Sequence, residues 1–126
     1  MIRRDQRGAA VVDVVLVMVV LVPLVLGILH LGLVMFVRNT LTSAASEGAR
    51  VAATADRGPA DGVAWTRQQI DGAVSGRFAQ DVTARPATVG GMPGVEIVVR
   101  ARVPALGLGG PAVELTAVGH AVEEVP

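Results

Sequence analysis

Residues 9–37 of this 126-residue chain are apolar or small with two ionisable exceptions, Asp13 and His30. A carboxylate in such a stretch costs about 2.5–3.5 kcal/mol at the centre of a bilayer and less toward its ends, so an acid there is a functional hypothesis whose partner has to be named. Asp13 follows the Gly8-Ala9 junction, where a polar leader carrying Arg3, Arg4 and Arg7 meets the apolar run. A cut at that junction would create a new α-amino group on Ala9 and leave Asp13 as the fifth residue of the shortened chain. A carboxylate so placed is set to pair with the amino terminus of a neighbouring copy, because charges attract far more strongly in low dielectric than in water. The plain alternative is an aspartate that reaches headgroup water at the membrane edge.

The rest of the chain offers little chemistry. Without cysteine there is no disulfide, thiolate nucleophile or cysteine-based zinc site. His30 and His120 lack any recognisable metal-ligand spacing, and no serine nucleophile motif is present. Gly107-Leu108-Gly109-Gly110 reads as a loop, since no helix start follows it to cradle a phosphate. His120 reads as a solvent-facing or capping residue near a strand end, and Trp65 as a packing residue. No catalytic residue, metal or cofactor is expected. Eleven basic residues balance eleven acids, so there is no bulk electrostatic pull toward nucleic acid.

The elements that must carry Asp13 begin with a membrane span. A helix needs about 20 residues to cross the hydrocarbon, and residues 9–37 exceed that. Arginines crowd the N-terminal flank, so the positive-inside rule puts residues 1–8 in the cytoplasm as a basic leader and residues 38–126 outside. A cleaved secretory signal is the competitor, but its apolar core is shorter, about 7–15 residues, with a small-x-small site close behind.

Helical spacing continues past the membrane. Val34, Val37, Leu41, Ala44, Gly48, Val51 and Ala55 fall three and four residues apart on one stripe, which predicts a single helix over about 9–55. The stripe is expected to dock the chain's own external domain in preference to forming a seam between molecules. Pro23 deletes one backbone hydrogen bond in this helix, which membrane helices tolerate. Asp56-Arg57-Gly58-Pro59 stops the helix, and with Asp61 as a cap a second one is expected over about 60–80, its apolar face formed by Val63, Ile70, Ala73, Val74 and Phe78. Alternating patterns then predict strands over about 82–89, 95–103 and 112–122. Residues 90–94 read as a hairpin loop, Pro86 places the first strand at an edge, and residues 104–111 connect the second and third. The fold class is α+β: a long transmembrane helix continuing into a small external domain with a second helix and an antiparallel sheet of about three strands.

Two stretches carry a resemblance. Arg7-Gly8-Ala9-Ala10-Val11-Val12-Asp13 resembles the leader junction of the TadE-like family of type IV-related pilins and pseudopilins, where a glutamate usually stands at the position of Asp13. Residues 27–32 and 37–53, the latter including Asn39-Thr40-Leu41-Thr42-Ser43-Ala44-Ala45-Ser46-Glu47-Gly48, are similar to that family's most recognisable stretch. The resemblance implies a pilin-like fold and a minor pilin or assembly factor of the tight-adherence (Flp) pilus. It also implies cleavage by a prepilin peptidase, contacts with other pilins and an assembly platform, and residence in the bacterial cytoplasmic membrane with incorporation into a filament. Asp13 is one methylene shorter than the usual glutamate, and His30 stands where the family often has an acid, so no role passes to His30. A single-span, membrane-anchored binding or sensor module without a filament role is the alternative.

Overall fold

The computed structural model describes residues 2–104 and 112–125, with only the backbone described for residues 2–5. Five elements of secondary structure follow one very long helix, six in all among the described residues. They are α1 (Ile2–Ala53), α2 (Pro59–Ala73), a 3-10 turn (Gly76–Ala79), and strands β1 (Asp81–Val89), β2 (Met92–Val103) and β3 (Val113–Val122). The α+β expectation holds. The connection expected over 104–111, with Gly107-Leu108-Gly109-Gly110, lies outside the described residues apart from Pro104.

At 1.5 Å per residue, the 52 residues of α1 extend on the order of 78 Å. The helix runs unbroken across Pro23 and takes in the leader from Ile2, earlier than the expected start at Ala9. Its two halves differ in environment. Val20 is 68% exposed and Leu16 59%, whereas Val37 and Leu41 are fully buried. Where the helix leaves the apolar run, hydroxyls that would otherwise compete with it fold back onto carbonyls one turn earlier: Thr40 donates to Phe36 at 3.0 Å and Thr42 to Arg38 at 2.9 Å.

The predicted stripe docks the chain's own domain. Val37, Leu41, Ala44 and Gly48 are buried and Val34 and Val51 half-buried, while Ala55 is exposed beyond the helix end. Ala45, Ala49, Ala52 and Ala53 are buried as well, so the covered arc is broader than a single stripe. The cause is that α1 is held on two sides, by α2 and by the inner face of the sheet.

On the α2 side the contact is backbone to backbone. A Cβ on Gly48 would overlap the Thr66 hydroxyl and stand 2.8 Å from the Gly62 carbonyl, and a Cβ on Gly62 would stand 2.6 Å from the Gly48 carbonyl. Thr66, fully buried, satisfies its hydroxyl with the Gly62 carbonyl at 2.8 Å. On the other side a Cβ at Gly119 of β3 would strike the backbone of Ala45 and Ser46.

The second helix is shorter than expected. Asp61 sits at its third position and accepts from the Gly58 N–H at 2.9 Å, the backward half of a capping box. The helix stops at Ala73, where Val74 leaves helical geometry at φ −130°, and the Ser75 hydroxyl then caps the 3-10 turn by accepting from the Arg77 N–H at 3.4 Å. The glycines at 72 and 76 weaken helix propagation here, and the turn brings Phe78 and Ala79 onto the core.

The sheet is antiparallel in the order β1-β2-β3, which leaves β1, with Pro86, at an edge as expected. The hairpin loop is tighter than expected. Gly90 and Gly91, at φ 57° and 81°, make the whole turn, and Met92, Pro93 and Gly94 join β2. Two successive positive φ values give the turn whose twist matches the strands, so no longer loop is needed. Inward residues Val82, Ile97, Val99, Val103, Leu115 and Ala117 pack with Val37, Leu41 and Ile70 into one core. The outer face bears cross-strand ion pairs, Arg85 with Glu96 and Arg102 with Glu114.

Because Gly48 has no room for a methyl group, Gly48→Ala should lower stability by about 2–3 kcal/mol, measured by chemical unfolding of the detergent-solubilised protein. Gly27→Ala, with nothing within 4 Å of the added atom, should not destabilise it.

Candidate functional site

The candidate site is the uncovered half of α1. From Val11 to Leu31 nearly every large side chain is apolar and exposed; Val11, Val19 and Leu31 are each 63% exposed. The helix is long and apolar enough to cross a membrane. Each such side chain left in water forgoes about 1.5–3 kcal/mol of transfer free energy, so this half requires lipid or protein around it.

Asp13 is exposed within this surface and makes no side-chain hydrogen bond or ion pair among the described residues. It lies more than two turns inside α1, because the leader is helical too. The Gly8-Ala9 junction is exposed, and a Cβ on Gly8 would meet nothing within 4 Å, so packing does not account for glycine there. Arg7 is exposed beside it, while the side chains of Arg3 and Arg4 lie outside the described residues. One helix therefore holds Arg7, Gly8, Ala9 and Asp13 in fixed phase.

His30 lies two turns before Val37 and so on the docking face, beneath the head. It is half-buried, and its Nδ1 is buried without a hydrogen-bond partner among the described residues. Trp65, expected as a packing residue, is half-buried, with its Nε1 also buried and unpaired among those residues. His120 is exposed on the outer face of the sheet with its Nδ1 3.7 Å from Glu96, which also accepts from Arg85 Nε at 2.6 Å. The register Arg85-Glu96-His120 across three strands is what brings these together, a pairing the separate strand patterns did not reveal. No group of three or more His, Asp or Glu side chains able to hold a metal gathers among the described residues.

If the exposed half of α1 is independent of the head's packing, Asp13→Ala should leave head stability unchanged to within about 0.5 kcal/mol. Thermal unfolding followed by the fluorescence of the single tryptophan, Trp65, measures this.

Residues 8–50 match the family model described as TadE-like protein. No curated protein and no solved structure matches the chain. The matched segment contains the Gly8-Ala9 junction, Asp13, the apolar run and the docking stripe through Gly48, and it stops as α1 nears its end. Over residues 8–50, about a third of its length, the chain is thus similar to the TadE-like family, on a helix long and apolar enough to cross a membrane.

Proposed function

We propose that this protein is a minor pilin or pilus-assembly pseudopilin, stored in the cytoplasmic membrane and assembled through its N-terminal helix. The leader stays in the cytoplasm and the α+β head lies outside. The observation that carries this reading is the build of α1: one uninterrupted helix whose apolar half is bare and whose other half is locked into the head. A protein whose only task is to tether a head needs a span and a linker. Here no linker intervenes, so the head is held rigidly to the face that neighbours would contact.

A prepilin peptidase would cut between Gly8 and Ala9. The step hydrolyses the peptide bond, releasing the Gly8 carboxylate on the leader and a protonated amino group on Ala9. Removing the leader also moves Asp13 into the first two turns of the shortened helix, nearer its partially positive N-terminal end. The carboxylate then has two cationic partners, its own helix end and the Ala9 amino group of an adjacent subunit. Burial among apolar helices leaves an unpaired charge costly, which favours the packing that pairs it. Other pilins and the assembly platform are the implied partners.

N-terminal sequencing of the protein from the membrane fraction should read from Ala9; an intact Met1 in cells with an active prepilin peptidase removes the processing step. Asp13→Ala should give a normally expressed, membrane-bound protein that is no longer recovered in filaments. Recovery equal to wild type would instead favour a membrane-anchored binding or sensor module.

A further inference from the structure

The head has a base and a tip, and their charges differ. The Glu124 N–H donates to the Ala53 carbonyl at 2.9 Å, and Gly119 rests on Ala45 and Ser46, so β3 runs in the same direction as α1, with Val122 at the far end. Thr66 lies on Ala44 and Gly62 on Gly48, so α2 runs back toward the apolar half. The 3-10 turn, the start of β1, the end of β2 and the start of β3 consequently form the base, facing the membrane. The tip carries Asp56, Asp61, Glu123 and Glu124 against Arg50 and Arg57.

At the base an open concavity of about 670 Å³ is lined by Arg77, Arg100 and Arg102 together with Asp81, Glu114 and Thr116. Glu114 is engaged by Arg102 through two hydrogen bonds of 3.0 and 2.8 Å. Arg77 and Arg100 form no ion pair among the described residues, although Asp81 is the cross-strand neighbour of Arg100. The Arg77 guanidinium lies 5.6 Å from the centre of the Phe78 ring, a half-buried aromatic at the same end.

The base also sits close to the lipid. Residues 9–37 form about 43 Å of helix, whereas the hydrocarbon is about 30 Å thick. Leu33, Val34 and Val37 belong to that apolar run and at the same time pack into the head's core. The head therefore begins before the apolar run ends, and with α1 as a span its base comes up against the membrane surface.

We propose that this base is a seat for anionic phospholipid headgroups of the outer leaflet, with Arg77 and Arg100 binding the phosphate. Guanidinium groups suit this role, since their forked N–H donors match phosphate oxygens in pairs. The inference rests on the reading of α1 as a membrane span and not on a pilus role.

The chain lacks cysteine, so Thr116→Cys places a single spin label in the concavity and Thr88→Cys one at the tip end of β1. The full chain is reconstituted into vesicles of phosphatidylcholine, with or without a third of phosphatidylglycerol, and each label's accessibility to a water-soluble nickel relaxant is measured. The label at 116 should be shielded in the anionic vesicles only, and the label at 88 accessible in both. Arg77→Gln and Arg100→Gln should each lower the affinity for phosphatidylglycerol, read from how shielding at 116 rises with its fraction, about fivefold, as expected for roughly 1 kcal/mol per arginine near an anionic surface. Arg67→Gln, exposed on α2 and outside the concavity, should not change it. Salt near 1 M, where the Debye length is about 3 Å, should restore the accessibility of the wild-type concavity's label without any arginine substitution. Equal accessibility in both vesicles overturns the proposal. So does shielding that follows protein density, which would indicate a neighbouring subunit, or shielding produced in phosphatidylcholine by added inorganic phosphate alone.

Discussion

One helix serves two solvents, and most of the architecture follows from the point at which it changes between them. Before Leu33, α1 carries its apolar side chains around the whole circumference, as suits hydrocarbon; beyond Val37 apolar residues are confined to the arc that meets α2 and the sheet. Residues 33–37 belong to both regimes. Since nothing interrupts the backbone there, the head cannot be packed without fixing its height and direction relative to the apolar half.

Small residues make that docking close. At Gly48, Gly62 and Gly119 the neighbouring backbones approach within the space a side chain would fill, and Ala44, Ala45, Ala49, Ala52 and Ala53 line the rest of the contact. A core built this way gains little from any single large side chain. Its stability comes from many short contacts that depend on the backbones remaining in place. The buried Thr66 hydroxyl fits the same logic, because it satisfies itself on its own helix at Gly62 and needs no space of its own.

Local patterns conveyed most of this fold. The apolar run, the three-and-four spacing from Val34 to Val51 and the alternation in β2 and β3 each report a periodic environment along one element, and each element is of the expected type, although α1 and β2 begin earlier than their patterns. What the patterns could not report was contact between elements. The end of α2 at Ala73 depends on Phe78 and Ala79 having to turn onto the core, and the glycines at 62 and 119 look like weak helix or strand residues until their partner backbones are seen. Likewise, the arginines at the base come from a turn and a strand separated by β1, and only the register collects them. The Gly8-Ala9 junction and Asp13 were conspicuous in the sequence because they interrupt a pattern. The fold adds that they stand on the same unbroken helix as Arg7, at fixed angles to one another, without engaging the head.

The unbroken helix has a geometric consequence. His30 stands on the same meridian of the rod as Val37, Leu41, Ala44 and Gly48, so the head projects above it like an eave. A second rod lying alongside and displaced outward would collide with the eave on that meridian, and is free to approach only from the opposite sector, where Arg38, Asn39, Thr42 and Arg50 continue the line upward. The molecule thus has a handed front and back along its whole length.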